Sequence, residues 1–238
     1  MSGEDSSVSV VIPVRNGATY VAEAIQSCID QTRAVQEIIV VDDGSTDATA
    51  EVVARFGNRI TLLQQQWAGA GPAMNRGIDH SGGEFLAFLD HDDLWMPDKI
   101  SHQLQEFRAK PTLEAVFGQV EQFITPELES RLRDRIRIPD RPQAAAQTSA
   151  MLLRRTAWYR VGPFEVEKNA FGFQSWYVRA LTKSLRISMI PILVSRRRIH
   201  ASNCSQLQRD GLFERYLKLA REMASHNRRT RSAHQNDE

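Results

Sequence analysis

Two runs of acidic residues close apolar, β-branched stretches: Asp42, Asp43 and Asp47 in VVDDGSTD (40–47), and Asp90, Asp92 and Asp93 in FLDHDD (88–93). Carboxylates crowded at one place repel, and each raises its neighbours' pKa unless positive charge sits among them. A hard divalent cation is the simplest remedy. Carboxylate oxygens suit Mg2+ or Mn2+, which keep coordination positions open for water and substrate phosphates. The pattern therefore points to a cation that grips a diphosphate, provided the two runs meet.

The elements before them make that meeting reasonable. The spacing predicts strands over 8–13, 37–41, 60–63 and 84–89, alternating with helices over 17–31, 46–56, 69–80 and 97–110. Ser45 or Thr46 is placed to cap the second helix, and Pro97 suits the first turn of the fourth. Such alternation is the signature of βαβ units and a mostly parallel sheet. Ligands of an open parallel sheet bind beyond the carboxyl ends of its strands, so both acidic runs should face one crevice. The second half is less regular. Residues 115–124 read as one strand or two, 150–153 as another, 155–161 and 172–184 as helices, and 186–199 as a strand pair. The arginine-dense stretch 130–142 reads as a mobile loop or a loosely attached helix. A stripe of Leu212, Phe213, Tyr216, Leu217, Ala220 and Met223 marks a C-terminal helix that packs on the body or on a partner subunit, which leaves a homodimer open.

The 238 residues, 42% apolar and 25% charged, suit one soluble α/β domain and exclude disorder and collagen-like repeats. No apolar run approaches the roughly 18 residues of a membrane helix. The acidic start lacks the basic, apolar pattern of a secretion signal, so the cytoplasm is the expected location. Cys28 and Cys204 lie in no CxxC or Cys/His cluster and read as plain thiols. Residues 1–120 carry 8 Lys/Arg against 17 Asp/Glu, whereas 121–238 carry 22 against 12. An acidic half suits a cation, and a basic half suits phosphates or an acidic partner. The arginines are not interleaved with aromatics, so a nucleic-acid partner is not expected.

Segments VSVVIPVRNG (8–17), EIIVVDDGSTD (37–47), NRG (75–77) and GEFLAFLDHDDLWMPDK (83–99), in this order, resemble glycosyltransferase family 2, nucleotide-sugar enzymes of the GT-A fold. The resemblance covers residues 8–110 closely. It implies one α/β domain: a nucleotide-sugar-binding half (8–110) built on a Rossmann-like, mostly parallel sheet flanked by helices, then a smaller irregular acceptor-side half (111–210), and a C-terminal helix and tail (211–238). It further implies a donor pocket lined by Pro13, Val14, Arg15 and Asn75, with Asp42 or Asp43 towards base and ribose. Asp90, His91 and Asp92 stand as the family's DxD motif. Asp92 would hold Mn2+ or Mg2+ on the diphosphate, Asp90 would lie nearer the ribose or sugar, and His91 would point away from the metal. More thinly, RRRIHASN (196–203) suggests His200 as a further metal ligand and Arg198 as a phosphate contact. Trp67 and Trp95 read as packing residues, and His80 and His102 as helix surface. The implied activity is transfer of a hexose-type sugar from a UDP-sugar, with inversion, to a peptide, glycan or small molecule. The segment 115–127 also looks like small transferases associated with ribosomal-peptide maturation, which favours a peptide acceptor.

One departure stands out. Inverting members of the family carry a general-base carboxylate just before a helix rich in aromatics, but the matching stretch AFGFQSWYVRA (170–180) has Gly172, Phe173 and Ser175 there. A further departure is Ala73-Met74 before Asn75, where an arginine often precedes the asparagine. Three readings of the missing base stay open: a base from Glu121, Glu165 or Glu167; a thiol acceptor, which needs no strong base; or a donor-binding chain that partners an active enzyme. A nucleotidyltransferase is the remaining rival, and Arg15-Asn16-Gly17 is too sparse for its phosphate loop.

Overall fold

The computed structural model describes residues 6–128, 133–134, 136–165, 172–201 and 203. Strands β1 (Val8–Val14), β2 (Glu37–Asp43), β3 (Thr61–Gln65) and β4 (Phe85–Phe88) lie parallel in the order β3-β2-β1-β4. Every residue of β1 is buried, as a parallel strand covered on both faces requires. Its alternating side chains serve two cores. Val8, Val10, Ile12 and Val14 join Val21, Ala24 and Ile25 of α1 (Val21–Ile29) and Ile100, Leu104 and Phe107 of α4 (Lys99–Ala109). Val11 turns the other way, towards Ala73, Met74 and Ile78 of α3 (Ala70–Asp79), whereas Val53 of α2 (Thr49–Ala54) joins the α1 side. Each such Val or Ile contributes about 1.5–3 kcal/mol by leaving water. Helix α3 approaches β1 at Gly77, where a Cβ would meet Val11 Cγ1 at 2.4 Å.

The second half extends the same sheet. Strands β5 (Leu94–Trp95), β6 (Ala115–Ile124), β7 (Gln143–Ala144), β8 (Leu152–Arg154) and β9 (Ile187–Ile199) complete the order β3-β2-β1-β4-β8-β6-β9-β5, with β7 on β6. β8 runs antiparallel to both β4 and β6, while β9 is parallel to β6. Helices α5 (Arg155–Val161) and α6 (Gly172–Thr182) cover the α3 side through Trp158, Trp176 and Tyr177. The alternating α/β pattern of the sequence is thus realised, and 115–124 is a single strand.

Two local expectations are corrected. The strand pair expected at 186–199 is one strand of 13 residues. The pairing with β6 shifts register between Phe117 and Val120, and that bulge accommodates Pro191 within the strand. Neither Ser45 nor Thr46 caps α2, whose N-cap position is Ala48. Ser45 Oγ instead accepts the Asn16 amide, and the Thr46 amide donates to Asn16 Oδ1. The C-terminal helix lies outside the described residues, and among those no helix is long and apolar enough to cross a membrane.

Candidate functional site

Pairing of β1 with β4 ends at Val11 and Phe88, while β1 continues to Val14 beside Asp42 of β2. The strands part there, at the carboxyl edge of the sheet, so Pro13, Val14, Asp42, Asp43 and Asp90 to Asp93 share one edge. This is where an open α/β sheet offers a crevice.

On the β2 side the acids are held by local hydrogen bonds. Asp42 Oδ1 accepts the Ser45 amide at 2.9 Å. Asp43 accepts Gln65 Nε2 and the Ala68 amide on Oδ1, both at 2.8 Å, and the Gly69 amide on Oδ2 at 2.7 Å. Gly69 has φ 106°, a conformation that favours glycine, and is the N-cap of α3. Asp43 thus fixes the turn from β3 into α3. Trp67, just ahead of that turn, is 48% exposed, not packed as expected, with the Arg15 guanidinium 4.3 Å from its ring centroid. Burial works to raise the pKa of Asp47, but hydrogen bonds from Thr49 and the Ala18 amide outweigh it and hold the carboxyl low.

On the β4 side three acids stand within four residues. Asp92 Oδ2 meets His200 Nε2 at 2.9 Å and accepts Asn203 Nδ2 at 3.3 Å. Burial pushes Asp92 up, yet the His200 bond and the charges of His91 and His200 bring it below the usual carboxylate range. Asp90 is pushed up to about 6, first by burial and then by the charge of Asp92, against the pull of Arg197 and Thr148. Asp93 lies well above the ordinary value through burial and the charges of Asp90 and Asp92. Its oxygens accept Ser149 Oγ at 3.0 Å and the Arg198 amide at 3.1 Å. His91 packs against Gly17, where a Cβ would lie 2.5 Å from His91 Cδ2. Burial lowers its pKa, while the charges of Asp92 and Asp47 raise it, so both acidic runs act on this one imidazole.

The other singled-out residues are placed as follows. Asn75 uses both ends of its amide on Phe164, donating to its carbonyl and accepting its amide, each at 2.9 Å. Arg198 is 6% exposed and donates to the Asp92 carbonyl (2.9 Å) and Glu23 Oε2 (2.6 Å), beside Tyr20 and Phe123. Glu121 accepts Arg196 Nε at 2.8 Å, on the face of β6 that also carries Phe123. Glu165 pairs with Arg179, and its carbonyl lies against Gly71 in the first turn of α3. Glu167 lies outside the described residues. Trp95 is buried, as expected, while His80 is exposed at the end of α3. Among the described residues no group of three or more His, Cys, Asp or Glu is arranged to hold a metal ion. Asp92 and His200 offer two converging donors, which fits a cation completed by water and phosphate oxygens.

A family model described as glycosyl transferase family 2 matches residues 9–178. The chain belongs to this family. A glycosyltransferase of Rickettsia typhi described as uncharacterised is 46% identical over 97 residues, 41% of this chain and 30% of its own length. Staphylococcus aureus TarS 1-349, solved with UDP-GlcNAc, superposes with a TM-score of 0.65 at 18% identity, covering 82% of this chain and 59% of that one. Mannosyltransferase PcManGT of Pyrobaculum calidifontis, solved with GDP-Man and Mn2+, gives 0.61 at 21% identity, covering 82% and 57%. These likenesses place the fold among GT-A glycosyltransferases. The chain spans only 30% or less of the first curated relatives it matches.

Family resemblance and acidic spacing did not reveal Tyr20, Thr148, Ser149 or Asn203. Tyr20 lies 4.8 Å from the His200 ring, and the Thr148–Ser149 hydroxyls touch Asp90 and Asp93. The polar triplet QTS (147–149) before an apolar strand is the signal that could have pointed to the hydroxyls.

Proposed function

We propose that this chain transfers a sugar from a UDP-sugar in a reaction that depends on Mn2+ or Mg2+, with inversion, and that it acts in the cytoplasm as one GT-A domain. The supporting observation is the convergence of Asp92 Oδ2 and His200 Nε2 at 2.9 Å beside the further acids Asp90 and Asp93, at the crevice where family members carry their DxD motif. A divalent cation held by Asp92 and His200 would offset charge on the departing nucleoside diphosphate. Asp90 faces the sugar side, and Pro13, Val14 and Arg15 border the nucleoside side with Asp42 and Asp43. Arg197, whose charge acts on Asp90, supplies positive charge beside the acids, and Arg198 braces the Asp92 carbonyl.

For the base the reading favours Glu165. Its carbonyl abuts Gly71 and lies 4.0 Å from the position of a Cβ on Gly172, which heads α6 where the family's acid is expected. Glu167 is two residues further along. The acceptor is proposed to be a peptide, glycan or small molecule, and a thiol acceptor would relax the need for a base. One observation favours a second reading, that of a donor-binding partner to an active enzyme: both described candidate bases, Glu121 and Glu165, are engaged by arginines.

The test is a thermal-shift panel of UDP-glucose, UDP-GlcNAc and GDP-mannose with and without Mn2+. A donor at 100 times its Kd stabilises the fold by about 2.7 kcal/mol. We expect a Mn2+-dependent shift with a UDP-sugar that Asp92→Ala abolishes. No shift with any donor, or one that Asp92→Ala leaves intact, refutes the assignment. Transfer or hydrolysis of the donor by the purified chain rules out the donor-binding reading.

A further inference from the structure

Lys99 and Gln103 stand one turn apart on the same face of α4, and Trp95 of β5 comes alongside, its ring 4.5 Å from Lys99 Nζ. Each donates to a different carbonyl of three consecutive residues. Trp95 Nε1 reaches the Ser149 carbonyl at 2.9 Å, Gln103 Nε2 the Ala150 carbonyl at 2.8 Å and Lys99 Nζ the Met151 carbonyl at 3.1 Å. Lys99 Nζ also donates to Gln103 Oε1 at 2.6 Å, which turns the amide nitrogen towards Ala150 and the Val116 carbonyl. Lys99 and Gln103 are fully buried. A lysine in the core is costly to desolvate, and its hydrogen-bond partners are an amide and a carbonyl, with the Trp95 ring 4.5 Å away, rather than a carboxylate. A space-filling role alone is served better by methionine or leucine.

What the three side chains hold is the piece of chain that touches the acids. Ser149 Oγ accepts the Asp90 amide at 3.2 Å and donates to Asp93 Oδ2 at 3.0 Å. Thr148 Oγ1 donates to Asp90 Oδ1 at 3.3 Å. A continuous series of bonds therefore runs from α4 through three carbonyls and two hydroxyls to the loop that presents Asp92.

We infer that Trp95, Lys99 and Gln103 are positioning residues for the donor site. They fix Thr148 and Ser149 against Asp90 and Asp93, and so set the loop carrying Asp92, without touching the donor. The inference rests on the reading of that loop as the donor site.

The test compares the full wild-type chain with Lys99→Met, Ser149→Ala and the double variant. Amide hydrogen exchange is followed over residues 88–94 and 147–152, and UDP release from UDP-GlcNAc with Mn2+ is measured in parallel. Removing the ammonium leaves the Met151 carbonyl without its donor, so exchange in both segments should quicken about tenfold or more while 8–14 changes less than about twofold. Each single substitution should slow UDP release about tenfold or more, and the double variant should be no slower than the slower single one, because both act through one series of bonds. Faster exchange confined to α4, a uniform rise across the chain, or effects of the two substitutions that multiply would each overturn the inference. If Lys99→Met does not fold, Gln103→Met removes the donor to Ala150 and decides the same question. A wild-type chain that releases no UDP counts against the donor reading alone, since the exchange comparison needs no ligand.

Discussion

Lys99 should make the stability of this protein rise with pH where most proteins change little. Burial pushes its ammonium down from 10.5 to about 7, against the opposing influence of Cys28. The unfolded chain then holds one more proton than the folded chain between about pH 7 and 10.5. Stability is therefore lost as pH falls through that window and regained as it rises. The slope approaches 1.36 kcal/mol per pH unit, so the gain from pH 7.5 to 8.5 is about 1 kcal/mol. The buried Cys28 thiol, pushed up by burial, works in the opposite direction near and above its ordinary value of 9.0, which is why the comparison stops at pH 8.5. Lys99→Met removes the slope but leaves the Met151 carbonyl and Gln103 Oε1 without a donor, a cost of about 1–3 kcal/mol each. Urea unfolding at pH 7.0, 7.5, 8.0 and 8.5, read by tryptophan fluorescence, checks this in both proteins. Cys28 is common to both, so the difference between their slopes belongs to Lys99. Parallel curves would show that Lys99 keeps its proton in the core, and the reasoning from burial would fail.

Asn75→Ala should cost about 2 kcal/mol in urea unfolding, because both of its bonds hold the backbone of the buried Phe164. Unchanged stability with weakened UDP-sugar binding would instead make Asn75 a donor contact. Glu165→Gln should slow turnover with a hydroxyl acceptor at least about 100-fold. Glu121→Gln, which loses only a half-exposed pair with Arg196, should keep turnover within about twofold and cost less than about 1 kcal/mol. The reverse ranking would move the base to β6.

The first four strands were legible because apolar β-branched runs alternate there with helical periodicity, and the acids at their ends follow from parallel-sheet geometry. Asp92 and His200 came from motif resemblance, and their bond is observed. What periodicity could not show was partnership. It places a residue on a face but does not say which backbone, 89 residues away, its amide will grip, as with Asn75 and Phe164. Nothing in the spacing of the fourth helix marks Lys99 for burial. Only the Met151 carbonyl, delivered by the turn into β8, and Gln103 Oε1 give it partners in the core. Trp67 was misjudged for a related reason: large aromatics are mostly inside, and nothing local announces that this indole, just ahead of the turn that Asp43 holds, faces out. The pair expected over 186–199 is one strand because a bulge lets Pro191 sit in a ladder to which it cannot donate.

The bond between Asp92 and His200 joins residues 108 positions apart, with His200 immediately beyond the end of β9. As the chain leaves the ribosome, its early βαβ units gain partners long before that histidine is synthesised. The scaffold therefore precedes the site, and a product truncated ahead of residue 200 would keep much of that scaffold while lacking half of the Asp92–His200 pair. Contacts this far apart in sequence are slow to close, so the site is expected to be completed after the scaffold around it.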